Sequence, residues 1–472
     1  MVERVAVTAV VTALAAPPLY VGLRAAGVPA APLGVALLLG GGGLWLARRL
    51  PASLDGAWHR RRMLACLWLL ISAVAVVQVT RLSIFMFDGA RRQQSMLPLY
   101  DTIAEHSCLS AYHRAGELSR NEDSELYEPG PYQGKIGEGR FKVERYEYPP
   151  PFLLLPRLLG AVTGHDFLRL RPLWFALMAL PLMLALGLVA RFTERSAVGL
   201  LAPAVLAAMP TMLSLQYGNF HVAAVTLAML GMLALRERGR LEIAGGALLA
   251  FATLSKIFPG LLIIALAAER RWRAVGWTVA WLFVWTLLSI VVLGPAPMAA
   301  FLDLQLGRVA SGAAFPFMAD NERVVAANMS IHALVWKVGL LAGHPSAAAA
   351  RVVSWIFCGL LAVAVALAAR RWERLSQAQL WMTALFLGGL CSPFAPNPYA
   401  QLPLLWLLTL LVPQALPHRG KTVVLAGAWL ASSVMVYALP LRAGPALLWL
   451  SLVGQLSGIG VALWALLRRR AA

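Results

Sequence analysis

The chain has 472 residues, 60% of them hydrophobic and 13% charged, with a formal net charge of +19. An ordinary soluble domain carries roughly a quarter charged residues, so this composition excludes a string of soluble domains. The positive surplus sits at the ends of apolar runs: Arg48-Arg49, Arg60-Arg61-Arg62, Arg236/Arg238/Arg240, Arg270-Arg271/Arg273, Arg370-Arg371/Arg374 and Arg468-Arg469-Arg470. That is the positive-inside pattern of cytoplasmic loops, and it excludes a nucleic-acid partner as the reason for the charge.

In chain order, apolar runs predict helices over 5–23, 33–47, 63–86, 172–190, 197–214, 220–235, 274–293, 346–368, 377–391, 400–416, 422–439 and 446–467. The first run has little charge before it and reads as a retained helix, not a cleaved signal. Runs of about 17–25 apolar residues cross a bilayer as helices, because lipid tolerates no unpaired backbone group. The expected fold class is therefore all-α: a single integral membrane domain over 1–472, built as a polytopic helical bundle of about twelve spans with both termini cytoplasmic. No acidic residue falls inside a predicted span, and half of the 22 lie between Phe87 and Tyr148. The stretch 87–148 is thus expected as an extracytoplasmic loop opposite the arginine clusters.

Residues 241–268 lie between two basic clusters on the same side, so their apolar chain must go in and come back. Lys256, Pro259 and Gly260 mark its turn, which predicts a re-entrant hairpin lining a cavity. A lysine snorkelling from two short spans is the plainer reading. A second outer segment, from Gly294 to Lys337, carries Asp303, Arg308, Asp320, Glu322, Arg323 and Asn328.

Several residues in these outer segments have the chemistry of a site. Asp88 follows the third predicted helix directly; a half-desolvated carboxylate there could act as a general base, or simply pair with Arg91 or Arg92. Asp101 and Glu105 stand at i and i+4, on one face of any helix they share. His106 and His113 could bind metal, but their spacing is a weak signal and a structural role suits them as well. The run from Asn121 to Glu128 reads as a solvated surface. Tyr148-Pro149-Pro150-Pro151 closes the loop and starts a short apolar helix. Gln216-Tyr217-Gly218-Asn219 presents amides that could bond sugar hydroxyls or cap helix ends, with Gly218 in the left-handed region. Lys256, Arg323 and Lys337 could clamp a phosphate. Cys66, Cys108, Cys358 and Cys391 have no metal-ligand spacing, although Cys108 and Cys391 share the outer side and could form a disulfide.

The order of these elements resembles glycosyltransferase family 87 of the GT-C superfamily, in particular polyprenyl-phosphate-mannose-dependent α-mannosyltransferases. The similar features are an acidic loop ending in Glu-Leu-Tyr at 125–127 and Tyr148-Pro149-Pro150; Gln216-Tyr217-Gly218-Asn219; Gly246 with Lys256 and Pro259; Asn328-Met329-Ser330-Ile331 with Leu334-Val335; and Ser392-Pro393. The chain departs from the pattern after Ser392-Pro393, where Asn397-Pro398-Tyr399 replaces a tryptophan and histidines. The two helices before residue 63 lie outside the resemblance.

The resemblance implies a GT-C-like bundle and an inverting hexosyltransferase, mannose being one such sugar. Its donor would be a polyprenyl-phosphate sugar, its acceptor an envelope glycan or glycolipid, and its site the outer face of a bacterial inner membrane. An outer-loop carboxylate would take the acceptor proton; Asp88 is the first choice, being nearest the membrane boundary, followed by Asp101 and then Glu105. Lys256 would contact the leaving phosphate, with Arg323 and Lys337 in support. Gln216 and Asn219 would orient sugar hydroxyls, and His106, Tyr148 and Asn328 complete the expected substrate contacts. A divalent metal could sit among the carboxylates, though no spacing demands one. The rival reading is a lipid or oligosaccharide transporter, or flippase, since broken helices and an intramembrane lysine also suit alternating access. A structural subunit is the third.

Overall fold

A long apolar run can satisfy its backbone in lipid by forming a helix, and the computed structural model is built that way. It describes residues 2–36, 41, 62–120, 126–193, 202–315, 321–371, 377–415, 418–433, 435 and 443–467. Six helices are long and apolar enough to cross a membrane: Ala6–Ala25, Ala65–Phe87, Phe167–Ala190, Trp272–Leu293, Ala347–Ala369 and Pro445–Leu467. A sharply bent pair, Met209–Tyr217 with His221–Ala234, would count as a seventh. The protein is an integral membrane protein. Trp272–Leu293 exposes Phe283, Leu287 and Val291, an apolar stripe at helical spacing that suits contact with lipid.

The count of about twelve spans is thus not reproduced by length. Helices lie near other predicted positions, but several are short among the described residues: Gln377–Gly389 has 13 residues and Arg419–Ser433 has 15. The expected run 33–47 falls mostly outside the described residues, as do the start of 197–214 and the end of 422–439.

The chain divides into two compact units, Met1–Tyr146 with Leu153–Ala223, and Glu147–Phe152 with Ala224–Ala472. In unit 1, α1 (Val2–Ala25), α2 (Arg62–Phe87), α6 (Phe167–Phe192) and α7 (Ala202–Ala207) pack together. Between α2 and α6 the polar loop folds rather than trailing. It contains α3 (Asp101–Glu105), α4 (Cys108–Leu118) and a small antiparallel pair, β1 (Lys135–Ile136) with β2 (Phe141–Lys142). The prolines at 149–151 lead into α5 (Pro150–Val162), whose missing N–H groups cost least in a first turn. The unit ends with α8 (Met209–Tyr217), capped by Gly218 at φ 67°.

Unit 2 takes up most of α9 (His221–Ala234), then α10 (Arg240–Ser255), α11 (Leu261–Ala268) and α12 (Trp272–Leu293). Gly245 and Gly246 let α10 approach both neighbours. A β-carbon on Gly245 would lie 2.6 Å from Leu235 N, and one on Gly246 2.9 Å from the Trp277 carbonyl carbon. Small residues at such crossings replace the hydrophobic drive that lipid removes. The remaining helices are α13 (Ala296–Ala300), α14 (Leu306–Ser311), α15 (Glu322–Ala327), α16 (Ile331–Leu341), α17 (Ala347–Ala369), α18 (Gln377–Gly389), α19 (Asn397–Ala415), α20 (Arg419–Ser433) and α21 (Pro445–Leu467). A π-helical segment, Phe301–Gln305, links α13 to α14.

Candidate active site

Asp88 sits one residue beyond α2 and its N–H closes the last turn on Ile84 O at 2.8 Å. Oδ1 accepts from Ala90 N at 3.0 Å, and Oδ2 pairs with Arg91 Nε at 3.0 Å. The side chain is 38% exposed. Beneath this turn lies a buried cation that sequence reading missed. Arg171 stacks 4.0 Å from the Phe141 ring and 5.0 Å from Phe85, and donates to Phe85 O at 3.3 Å. Its Nε is buried without a hydrogen-bond partner among the described residues. Gly89 fits only because it lacks a side chain: a β-carbon would lie 2.7 Å from Phe141 Cζ and 2.8 Å from Arg171 Nη1. An ionisable residue in an apolar helix is itself a signal, but the predicted helix began at 172 and left Arg171 outside.

Asp101 and Glu105 do share a face of α3. Arg92 bridges them, Nη1 to Asp101 at 3.1 Å and Nη2 to Glu105 at 3.2 Å. Glu105 also takes Lys135 at 2.9 Å. The hydrogen bond from Lys135, with the charges of Lys135 and Arg92, holds the Glu105 carboxyl below its usual range against the opposing effect of burial. A base poised near neutrality is the more effective proton acceptor, so these partners favour a structural part for Glu105. Asp101 is 79% exposed.

His106 belongs to a polar cluster. Nδ1 lies 2.8 Å from Glu144 Oε1, Nε2 lies 3.6 Å from Cys108 Sγ, and the ring meets Tyr217 edge-on at 4.5 Å. Burial opposes a charge on the imidazole, but the Cys108 sulfur and the Glu144 carboxylate outweigh it and raise the His106 pKa to about 10. Glu144 is correspondingly held below its usual range: burial would raise it, and the bond and charge of His106 prevail. Ser110 sets this pairing up, since its Oγ donates to Lys142 O at 2.7 Å and accepts from Glu144 N at 3.0 Å. Glu144, 38 positions from His106, had no local signal.

The turn after α8 serves as the floor of the loop. Gln216 is buried; it accepts from Met96 N at 2.7 Å and donates to Ile103 O at 3.2 Å. Asn219 donates to Cys108 Sγ at 3.3 Å and accepts from His221 N at 2.9 Å. Trp174 Nε1 holds Gly218 O at 2.9 Å. Both amides act on the protein itself in this arrangement.

In unit 2, Lys256 ends α10 in an extended conformation, φ −145° and ψ 114°, ahead of a 3-10 turn at Phe258–Gly260. The helix breaks there, between α10 and α11. Its ammonium lies 4.3 Å from the centre of the Tyr148 ring, which stacks on Phe152 at 4.8 Å. The adjoining Glu147 accepts from Gln305 Nε2 in the π-helical segment. Arg323 occupies the exposed first turn of α15, where its N–H is capped by Asn321.

Asn328 and Lys337 form another cluster. Asn328 Oδ1 accepts from Ser330 N at 3.0 Å and Ala395 N at 2.9 Å, and Nδ2 donates to Pro393 O at 3.0 Å. The Asn-Met-Ser-Ile and Ser-Pro segments, separate in sequence, are thus one paired structure. Lys337 is 0% exposed; its ammonium donates to Asn328 O at 2.7 Å, Ser451 Oγ at 2.8 Å and Gln455 Oε1 at 2.9 Å. Three donors meet three acceptors, which makes Lys337 an internal brace.

Among the described residues no three His, Cys, Asp or Glu side chains converge as a metal site. Among the described residues no disulfide joins the four cysteines, so the expected Cys108–Cys391 bond is not formed.

Residues 146–393, just over half of the chain, match the family model of glycosyltransferase family 87. No curated protein matches the chain, and no solved structure does.

Proposed function

Because the chain belongs to glycosyltransferase family 87, we propose that it moves a hexose such as mannose from a polyprenyl-phosphate donor to a glycan or glycolipid acceptor of the cell envelope. It is a membrane glycosyltransferase, so the transporter reading gives way. The observation that carries the choice of donor is Lys256 held over Tyr148, inside the family-matched region and at a break between two apolar helices. A phosphate tied to a polyprenyl chain departs at the boundary of water and lipid. A fixed cation at that level stabilises its developing charge. A re-entrant course for 241–268 would bring the break to such a boundary.

Asp88 is the base of choice. It directly follows a membrane span, and its partner Arg91 is 60% exposed, so solvent weakens their pairing. In the inverting step an acceptor hydroxyl oxygen attacks the anomeric carbon and its proton passes to Asp88. The bond from that carbon to the phosphate oxygen breaks, and the lipid phosphate leaves with the electron pair. Asp101 is the second candidate. Arg323, on the exposed first turn of α15, is proposed as a headgroup contact. The site faces the extracytoplasmic side of a bacterial inner membrane in this reading, with both termini cytoplasmic.

Purified protein incubated with polyprenyl-phosphate mannose and an envelope glycolipid should release polyprenyl phosphate. A nucleotide-linked mannose in the same assay should not serve. Turnover with the nucleotide sugar alone would overturn the proposed donor.

A further inference from the structure

Unit 2 carries a second concavity, where α9, α11 and α17 end and α18 begins. It has a volume of about 530 Å³ and is lined by Arg236, Glu269, Arg270, Arg271, Arg370 and Gln377. Among the described residues, four guanidinium groups against one carboxylate leave three positive charges in excess. Topology alone needs basic residues near the membrane surface, not drawn into a hollow.

Two of these arginines, Arg236 and Arg271, are held in place, while Arg270 and Arg370 are exposed. Arg236 Nη2 bonds Glu269 Oε2 at 2.9 Å, with the two side chains only 15% and 9% exposed, and the Arg236 guanidinium stacks 5.4 Å from the Trp381 ring. Arg271 Nη2 donates to Leu235 O at 2.6 Å, while its Nη1 is buried with no partner among the described residues. Gln377 Oε1 is likewise buried and unpartnered. A buried charged donor left unsatisfied is costly, and an oxyanion bonded there would relieve it. Arg270 adopts φ 58°, a conformation rare for a residue with a side chain. Burial raises the Glu269 carboxyl against the pull of Arg236 and then Arg271, so the one acid lining the hollow among the described residues is itself shielded from water.

We propose that this hollow binds a phosphate-type oxyanion, with Arg270, Arg271 and Arg370 as its donors and Gln377 accepting from a hydroxyl beside the phosphate. A phospholipid headgroup and free inorganic phosphate share that chemistry. Basic pockets between membrane helices on the cytoplasmic side favour the headgroup. The site is separate from Lys256 and Tyr148, and its fate does not depend on the sugar donor.

The test uses the full chain in detergent, titrated with phosphatidylglycerol, phosphatidylcholine or inorganic phosphate while the thermal midpoint is followed. Phosphatidylglycerol should raise the midpoint saturably and phosphatidylcholine should not. R370Q, and R270G, which suits the positive φ, should each weaken the effect at least tenfold. R238Q, at an exposed position outside the hollow, should leave it unchanged. A response to phosphatidylglycerol alone assigns a headgroup site; a response to phosphate as well assigns the phosphate group. The proposal is overturned if neither ligand shifts the midpoint, or if R238Q weakens binding as much as the hollow variants.

Discussion

Asn328 donates to the carbonyl of Pro393 at 3.0 Å, across 65 positions of sequence. The same amide accepts from Ser330 N and Ala395 N, so one side chain fastens two turns. N328A would leave these buried groups unpaired, at about 1–3 kcal/mol for each group that water cannot reach. We expect a loss of about 2–4 kcal/mol in unfolding free energy. S330A removes a bond to the same carbonyl at 2.8 Å and the N-cap bond from Ala333 N at 2.9 Å, and should cost about 1–2 kcal/mol. Denaturant unfolding in detergent measures both, and equal losses would show that Asn328 is not the fastener.

The pair of His106 and Glu144 predicts a pH dependence of unit 1 stability. The His106 pKa is raised from 6.5 to about 10, so its share is full below 6.5 and is lost as pH rises through about 10. The Glu144 pKa is lowered from 4.5, so its share is full above 4.5 and is lost as pH falls through the depressed value. The thermal midpoint should therefore decline from about pH 6.5 toward pH 10, and separately fall in acid. H106Q should flatten both limbs, because His106 is what holds the Glu144 carboxyl low, whereas E144Q should remove the acid limb and only part of the alkaline one, since the Cys108 sulfur also raises His106. Each loss should be on the order of 1 kcal/mol near neutrality because both groups are part-exposed. An unchanged alkaline slope in H106Q would assign the titration elsewhere.

Helix positions were legible because apolar runs have one backbone solution in lipid. The shared face of Asp101 and Glu105 was legible because i, i+4 spacing is local. The break at Lys256 was legible because a charge, a proline and a glycine interrupt an apolar run. Commitments between distant residues were not. Gln216 reads as a free amide until its partners, 120 and 113 positions away, are known. Lys337 reads as a phosphate clamp until Ser451 and Gln455 are seen to hold it. Both amino acids bond substrate and backbone by the same groups, so residue type alone does not separate the two uses.

Lys256 should separate binding from stability. K256M removes the charge over Tyr148, a cation–π contact worth about 0.5–2 kcal/mol of stability. If the ammonium also stabilises the leaving phosphate, K256M should lower kcat by about 10²–10³-fold, while Y148F should keep most activity. K256R should recover part of the rate, since it keeps the charge. Equal activity in K256M and wild type, with the fold intact, would remove Lys256 from the reaction.

Asp88 gives the sharpest discrimination among the three carboxylates. D88N retains an oxygen to accept from Ala90 N and loses only a half-exposed ion pair, so its fold should survive. As general base, Asp88 should nonetheless govern rate, and D88N should lower kcat by about 10²–10⁴-fold with KM little changed. D101N loses a pairing to Arg92 in which both side chains are exposed, so it should fall within about threefold of wild type, since such pairs contribute little. E105Q should instead loosen the loop, because it weakens the bonds from both Arg92 and Lys135. Its signature would be a lower thermal midpoint with activity recoverable at low temperature. Single-turnover release of lipid phosphate checks all three. Should D88N turn over at the wild-type rate while D101N is inactive, the base is Asp101 and the carboxylate at the end of α2 is a helix-terminal turn residue.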